Sequence, residues 1–265
     1  MSESGSAERM TFWEHLDALR AVLVRVVVAM VVFGVVAFVY KEQLFAVILA
    51  PKQSDLMMFR WLAAAGQWLG VSGMEMAPFD VRLISTQLTQ QFVTHIKMAL
   101  LAGFLLTFPY ILYEVFRFVS PALYVRERRY ALRFILSGYV MFMLGVAMSY
   151  FVIFPLTFRF LATYQVSVEV ENHIVLESYI GTMMMLNLMM GILFEMPVLS
   201  WLFAKMGFLS AAFLRNYRRH AIVILLFVAA IITPTSDVFT LLLVAIPIYL
   251  LYEVSIWIVA LSNRA

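Results

Sequence analysis

Long apolar runs separated by short polar turns constrain this chain more than any other feature of its sequence. The first run, residues 21–40, is about 20 residues long, which is enough for a helix to cross a hydrocarbon core of about 30 Å. A polar lead precedes it and no small-residue cleavage site follows, so we predict a retained span rather than a signal peptide. We predict an all-α polytopic membrane protein with six transmembrane helices, at about residues 21–40, 95–118, 134–154, 179–204, 219–233 and 238–259.

Composition agrees with this fold class. Of 265 residues, 64% are hydrophobic and 13% are charged, against about a quarter charged in an ordinary soluble domain. The chain contains no cysteine, which excludes disulfides, thiolate metal sites and cysteine nucleophiles. We predict no metal, no cofactor and no nucleic-acid partner.

Residues 41–93 form the one long segment between predicted spans, and we expect them to fold as a cap on the outer surface. Residues 43–50 and 56–69 are predicted to be short interfacial helices, the second anchored by Trp61 and Trp68. Pro51 is predicted to end the first of these helices.

The last two apolar runs are short. Residues 221–233 would span about 20 Å as a helix, and residues 238–252, which end before Glu253, about 22 Å. Both lengths fall below a hydrocarbon core of about 30 Å. We expect membrane thinning, or partners that cover the helix ends, to absorb the mismatch.

The positions of the basic residues predict the orientation. With both termini in the cytoplasm, most of the 19 basic residues lie on the inner side, as the positive-inside rule requires. The inner set comprises Arg9, Arg20, Arg25, Arg117, Arg126, Arg128, Arg129, Arg133, Lys205, Arg215, Arg218, Arg219 and Arg264. The smaller outer set comprises Lys41, Lys52, Arg60, Arg82, Lys97 and Arg159.

Glu195 is an ionisable residue well inside the fourth predicted span. An intramembrane carboxylate costs about 2.5 to 3.5 kcal/mol on insertion scales, so it should face protein or water. Pro197 is expected to break the helix and free the Leu193 carbonyl, and Asn187, two turns earlier, to share the polar face. Two hypotheses stay open: a neutral, hydrogen-bonded acid that joins helices, or a polar site in a concave surface where a partner helix or translocating segment docks.

The other acidic residues have several interpretations. Asp237 is predicted to cap the sixth helix, and Glu114 and Glu253 to lie at the membrane interface near inner helix ends. Glu14 has the position of the second member of an N-terminal capping box. Glu127 lies in a basic turn, where it either balances its neighbouring arginines or receives a basic peptide.

Several short motifs carry a family resemblance. The segment Phe-Val-Ser-Pro-Ala-Leu-Tyr at 118–124, followed by Glu-Arg-Arg at 127–129, resembles the signature of TatC, the multi-spanning receptor subunit of the twin-arginine protein translocase. Other landmarks similar to those of the family follow in order between residues 12 and 253, at 14–20, 50–51, 154–156, 194–197, 217–219, 233–237 and 246–253.

This resemblance implies a glove-shaped, concave arrangement of six helices in the bacterial cytoplasmic (inner) membrane, N-in and C-in. It implies a receptor, not an enzyme, that is embedded in the lipid bilayer and binds twin-arginine signal peptides. The implied partners are single-span proteins of the TatA and TatB type, with self-association in a larger complex. Folded cargo proteins would cross the membrane, driven by the proton-motive force.

The resemblance also implies roles for individual residues. Glu127 matches the loop glutamate that pairs with the signal-peptide arginines, and Phe118 matches the aromatic residue of the same loop. Glu195 matches the buried glutamate of the fourth helix. Pro51 and Asp237 match outer-face positions linked to transport.

One position departs from the family pattern. The N-terminal motif usually has an acid before its Leu-Arg pair, where this chain has Ala18. Glu14 and Asp17 are the candidates to replace it, although Asp17 points about 100° away on a helix. A carboxylate holds a guanidinium in a bidentate pair that lysine cannot reproduce. Because Ala18 replaces the usual acid, we expect Glu127 to carry more of the arginine recognition.

A proton-coupled secondary transporter that uses Glu195 is the alternative hypothesis. The two halves of the chain show no inverted repeat of the kind that many transporters carry. Glu195 is also a single deeply placed acid rather than a member of a predicted relay. The receptor hypothesis is therefore preferred.

Overall fold

The computed structural model describes residues 12–52, 81–119, 131–167, 169, 172–233 and 237–262. The predicted interfacial helix at 56–69, with Trp61 and Trp68, and the loop residue Glu127 lie outside the described residues. Within the described segments the chain is mostly helical, which confirms the predicted helical class.

The helices are numbered in chain order along the described residues. They are α1 (Phe12–Val39), α2 (Lys41–Leu49), α3 (Gln90–Val119), α4 (Ala131–Met148), α5 (Phe154–Thr163), α6 (Leu176–Phe194), α7 (Met196–Lys205), α8 (Ala211–Asn216), α9 (Arg218–Ile232) and α10 (Val238–Ser262). A 3-10 turn, Ala50–Lys52, follows α2, and a π-helical turn, Ser149–Ile153, joins α4 to α5. Two short strands, β1 (Leu83–Ile84) and β2 (Ile174–Val175), pair in parallel.

Five helical segments of the described chain are long and apolar enough to cross a membrane. They are Trp13–Val39, Gln90–Phe118, Leu132–Thr163, Leu176–Lys205 and Val238–Ser262. Helix α9 falls in the remaining predicted span and has only 15 residues, or about 22 Å of helical rise. The prediction that this helix is short is confirmed.

The prediction that the last apolar run ends before Glu253 and is short is wrong, whereas the predicted span at residues 238–259 agrees with the observed helix. Helix α10 has 25 residues, about 37 Å of rise, because it continues past Glu253 to its end at Ser262. The Glu253 carboxylate pairs with Arg218 at 2.6 Å and accepts a hydrogen bond from the Tyr249 hydroxyl at 3.1 Å. A carboxylate with these partners is tolerated inside the helix, so it does not mark the helix end.

The third helical segment extends beyond its predicted end at residue 154. The chain stays helical to Thr163, although Pro155 has no N–H to donate. A π-helical turn directly precedes this proline and places it in the first turn of α5, where the missing N–H is tolerated. The π-helical turn shifts the hydrogen-bond register at this point, so the helical segment continues past Pro155 instead of ending.

Aromatic contacts show that α1 and α3 are antiparallel neighbours. Near the start of α1, His15 stacks on Phe118 at the end of α3, with ring centroids 4.3 Å apart. Near the end of α1, Phe38 stacks on His95 in the first turns of α3 at 3.9 Å. The start of each helix therefore lies beside the end of the other.

Two further contacts place the remaining helix ends. Phe116 near the end of α3 lies 5.4 Å from Phe134 at the start of α4, measured between ring centroids. Lys205 Nζ, at the end of α7, donates to the carbonyl oxygen of Ser262, at the end of α10, over 3.2 Å. We call the end of the molecule that holds the start of α1 and the ends of α3, α7 and α10 the basic end.

Glycines allow the long helices to approach backbone to backbone. A Cβ added to Gly103 of α3 would lie 2.5 Å from the Met30 carbonyl oxygen and 2.6 Å from the Gly34 nitrogen of α1. A Cβ on Gly145 of α4 would lie 2.5 Å from the Met190 carbonyl oxygen of α6. Lipid tails are as apolar as the side chains, so close van der Waals packing of this kind holds membrane helices together.

Tyrosine hydroxyls hold the segment after α1 against the helical body. Tyr150 in the π-helical turn donates to the Val47 carbonyl oxygen at 2.6 Å, and Tyr179 of α6 donates to the Ile48 carbonyl oxygen at 2.9 Å. Pro51 follows, buried in the 3-10 turn after α2, so the prediction that it ends this helix is confirmed. These two hydrogen bonds hold α2 against the π-helical turn and α6.

The glycine contact between α1 and α3 predicts a destabilised variant. We expect Gly103→Ala to lower the melting temperature in detergent, because its Cβ would meet the α1 backbone well inside contact distance. Gly181→Ala is the matched control, since nothing lies within 4 Å of its added Cβ, and removing a helical glycine stabilises by about 0.5 to 1 kcal/mol. Equal melting temperatures for the two variants would contradict the close approach.

Candidate functional site

Glu195 occupies the break between α6 and α7. Pro197 lies in the first turn of α7 and cannot continue the hydrogen-bond ladder of α6, so the predicted helix break is confirmed. The Glu195 N–H turns back to the Ile192 carbonyl oxygen over 3.1 Å, which closes the last turn of α6. The break directs the Glu195 side chain into the protein, where 5% of the residue is exposed.

The Glu195 carboxylate lies against α3 and α4. A Cβ added to Gly138 would be 3.1 Å from Oε2 and 3.4 Å from Oε1 of Glu195, and 2.9 Å from Cδ1 of Leu112. Gly138 therefore leaves the space that the carboxylate fills. Leu112 belongs to a buried apolar cluster that also contains Phe108, Phe116, Phe134, Phe142, Val146, Val198 and Leu202.

Hydrogen bonding does not account for the position of this carboxylate. Neither Glu195 oxygen has a hydrogen-bond partner within the described part of the chain. A buried polar group without a partner destabilises a protein by about 1 to 3 kcal/mol. The arrangement therefore does not fit the hypothesis of a hydrogen-bonded acid that joins helices, and it favours the hypothesis of a docking site.

Asn187 is buried on α6, two turns before Glu195, as the sequence indicates. Eight residues of helix separate the two side chains by about 12 Å, which is too far for a direct hydrogen bond. The Asn187 Oδ1 atom has no hydrogen-bond partner among the described residues. The structure places the two polar groups in one helix but does not join them in one network.

The start of α1 forms a second candidate region at the basic end. Glu14 and Asp17 are exposed on its first turns, three residues apart and therefore neighbours on one helix face. His15, between them, stacks on Phe118. The structure thus brings the predicted residues Glu14, Asp17 and Phe118 into one region, at the point where the chain enters the loop that carries Glu127.

The structure reveals an ion pair that the sequence analysis missed. Glu114 is 1% exposed in α3, with Oε2 3.3 Å from Nη2 of Arg25 in α1. Its Oε1 accepts a hydrogen bond from the Tyr110 hydroxyl at 2.9 Å. The available signal was Arg25 itself, because an arginine inside an apolar run needs an anionic partner.

Asp237 and Pro51 lie away from these regions. Asp237 Oδ1 accepts a hydrogen bond from the Thr240 N–H at 2.6 Å, which confirms that it caps α10. Asp237 is at the start of α10 and Pro51 follows α2, so both lie at the end of the molecule opposite the basic end. The structure does not bring them together with Glu195. Within the described residues, no three His, Asp or Glu side chains are grouped to hold a metal ion.

Comparison of the sequence with protein-family profiles and curated proteins finds consistent relatives. The family described as "TatC: Sec-independent protein translocase protein (TatC)" matches residues 14–247. The Sec-independent protein translocase protein TatC of Blattabacterium sp. subsp. Periplaneta americana is 34% identical over 252 residues, covering 94% of each chain. The TatC protein of Escherichia coli K12 is 32% identical over 244 residues, covering 92% of this chain and 85% of that protein.

Solved structures show the same similarity in three dimensions. The crystal structure of a twin-arginine translocase receptor, TatC, superposes with a TM-score of 0.71 at 31% identity, covering 94% of this chain and all of the other. A second crystal structure of such a receptor, in DDM, gives a TM-score of 0.74 and covers 92% of this chain and 98% of the other.

The partnerless carboxylate predicts opposite effects on stability and function. We expect Glu195→Met to keep or raise the melting temperature, because an apolar side chain of similar size suits the buried cluster better than an unpaired acid. The same variant should lose function when it is assayed in cells. Glu195→Gln, which keeps a polar group, should lose less of that function. Thermal unfolding in detergent measures the first effect. A clear loss of stability in Glu195→Met would restore the hypothesis of a helix-joining acid.

The Arg25–Glu114 pair predicts a strongly non-additive mutant cycle. We expect Arg25→Met to lower the stability of the purified protein most, because it leaves the buried Glu114 charge without its partner, and Glu114→Leu to lower it less, because the Arg25 side chain is 40% exposed. The double variant should recover much of the loss. Denaturation of the four proteins measures the coupling, and simple additivity of the two losses would show that the pair is not coupled.

Proposed function

Since this chain belongs to the TatC family of Sec-independent protein translocase proteins, we propose that it is the receptor that binds twin-arginine signal peptides and nucleates assembly of a translocase. It is a component of a protein translocase of the inner membrane and not an enzyme. The comparisons give no support to the alternative of a proton-coupled secondary transporter. In this role the protein serves export of folded proteins, with the proton-motive force as the energy source.

The proposed topology has six spans with both termini in the cytoplasm. Five segments have the length of a span, and α9 supplies the sixth as a short crossing. The basic end, with Arg20, Arg117, Lys205, Arg215 and Arg218, would face the cytoplasm, in agreement with the positive-inside rule. A glove-shaped concave surface would then open around Glu195. The cap of residues 41–93 would lie on the side of the membrane opposite the cytoplasm.

Recognition of the signal peptide is proposed at the basic end. The contact that carries this proposal is the stack of His15 on Phe118, because it seats the acidic first turns of α1 beside the start of the loop with Glu127. Carboxylates from Glu127, Glu14 and Asp17 would receive two guanidinium groups in bidentate geometry. Lysine offers a point charge without that geometry, so the site would prefer arginine.

Affinity must also come from apolar burial. Exposed ion pairs contribute only about 0 to 1 kcal/mol each, so the hydrophobic stretch of the signal peptide would have to bury its side chains as well. The surface near Glu195 is the proposed place, since its carboxylate has no partner in the described chain. A polar group of an inserted segment would satisfy it.

The proposed partners are single-span proteins of the TatA and TatB type and further copies of this chain. Pro51 and Asp237 support this as residues of the outer face that fix the shape of the surface. Pro51 fixes the turn after α2, and Asp237 fixes the first turn of α10. Their effect on transport would therefore be indirect, through the shape of the surface that partners meet.

The recognition proposal predicts the behaviour of Glu127→Gln. We expect this variant to bind an arginine-pair signal peptide up to about fivefold more weakly, because the lost charge-assisted pair is worth about 1 kcal/mol at most in an exposed site. Fluorescence binding of a labelled peptide to protein in detergent micelles measures it. Replacing the peptide arginines by lysines should weaken binding to the wild type and leave little further loss in Glu127→Gln.

The control variant is Glu169→Gln, which removes an exposed acid from the loop between α5 and β2. It should bind as the wild type does. Ala18→Glu should strengthen binding, because it adds a carboxylate beside Asp17 at the start of α1. Unchanged affinity in Glu127→Gln, with a folded protein, would remove Glu127 from the recognition site.

A further inference from the structure

A cavity of about 360 Å³ lies at the end of the molecule opposite the basic end, between α2, α3 and the start of α6. Its walls combine apolar and polar side chains, namely Lys41, Phe45, Leu49, Gln91, Phe92, His95 and Leu176. Pockets of this mixed kind, with a few polar groups on an apolar lining, are typical of ligand sites. Neither the family assignment nor the proposed signal-peptide site accounts for it.

His95 is the polar side chain that the fold leaves unsatisfied in this cavity. Only 7% of the residue is exposed, and its ring is held between Phe38, stacked at 3.9 Å, and Phe45, edge-on at 5.6 Å. Its Nε2 atom has no hydrogen-bond partner among the described residues. Two aromatic rings therefore fix the imidazole, while its buried Nε2 atom is left without a partner in the described chain.

Lys41 supplies a positive charge in the same cavity. Its side chain forms no ion pair within the described segments. The neighbouring Lys97 is already neutralised by Glu177, whose Oε1 lies 3.1 Å from Nζ, so that acid does not compete for Lys41. The available groups, an ammonium, an imidazole nitrogen and the Gln91 amide, suit an anion with several acceptor oxygens.

The position of the cavity selects the kind of anion. The candidate span Trp13–Val39 ends beside the cavity, and the candidate span Gln90–Phe118 begins beside it. The cavity therefore lies where a bilayer meets water. The exposed rings of Phe92 and Tyr40 fit that level, where aromatic side chains are enriched. A ligand here would place its charge at Lys41 and its apolar part along Phe92.

We propose that this cavity binds a membrane phospholipid, with the headgroup phosphate held by Lys41, His95 and Gln91 and an acyl chain packed along Phe92. Inorganic phosphate would use the polar groups but would leave the apolar wall of Phe45, Leu49 and Leu176 unfilled. A phosphate-free lipid would fill the wall but leave the His95 nitrogen and the Lys41 charge unpaired. The combination requires both parts of one molecule.

Native mass spectrometry of the full chain in detergent tests the proposal. The probes are palmitoyl-oleoyl phosphatidylglycerol, palmitoyl-oleoyl glycerol, which has the same chains without phosphate, and inorganic phosphate. We expect the wild type to retain the phospholipid about tenfold more tightly than the other two probes, since the charge-assisted bonds to phosphate distinguish them.

Three variants locate the binding. Lys41→Gln and His95→Phe should each weaken phospholipid retention about five- to tenfold, and the phenylalanine keeps the aromatic stack on Phe38. Arg82→Gln is the control, because it removes an exposed positive charge from the segment before α3 without touching the cavity lining. It should retain the phospholipid as the wild type does.

Each contrary result overturns the proposal in a definite way. Equal retention of the phosphate-free lipid would show an apolar surface that does not recognise phosphate. Equal retention of inorganic phosphate would show an anion site that gains nothing from the acyl chains. Weakening by Arg82→Gln to the same extent would show general charge attraction. Should His95→Phe lower the melting temperature, Lys41→Gln decides the outcome, because this exposed side chain has no part in the fold.

Discussion

The close approach of the α1 and α3 backbones is the contact on which much of the structure depends. Lipid supplies no hydrophobic force between helices, so their association rests on packing that only small residues permit. Gly103 lies against the α1 backbone near Gly34, and the rest of α1 exposes most of its apolar side chains. The His15–Phe118 stack, the Arg25–Glu114 pair and the Phe38–His95 stack all lie along this one interface. A shift of α1 would therefore disturb the proposed signal-peptide region and the lipid cavity together.

Two buried carboxylates on this scaffold have opposite surroundings. Glu114 has an arginine partner and a tyrosine donor, whereas Glu195 has no partner in the described chain. Insertion of either costs a few kcal/mol in a membrane, and only Glu114 has local interactions that offset it. Burial is therefore common to the two acids, and the presence or absence of partners in the described chain is what distinguishes them. This is why Glu195, and not Glu114, is assigned to the proposed docking surface.

Local sequence analysis was sufficient to predict the long helices from the lengths of apolar runs, and the break at Pro197, the end of α2 at Pro51 and the capping role of Asp237 from proline and capping chemistry. It failed where a distant residue changes the local rule. Helix α10 passes Glu253 because Arg218, in another helix, pairs with its charge. Glu114 is buried because Arg25 reaches it from α1. The partner of a charge is a property of the fold rather than of the local sequence.

The corrected length of α10 also changes what the short helix α9 can do. With about 37 Å of rise, α10 can cross a hydrocarbon core of about 30 Å, whereas α9, at about 22 Å, cannot do so without local thinning. In the proposed six-span topology the mismatch would therefore be confined to the side of the molecule that holds α9, with Val223, Phe227 and Ile231 exposed on its surface. Membrane thinning that is caused by α9 alone would occur only on the side of the protein where α9 lies. A partner helix that packs on α9 would relieve the mismatch there, and the same contact would direct assembly to that side of the receptor.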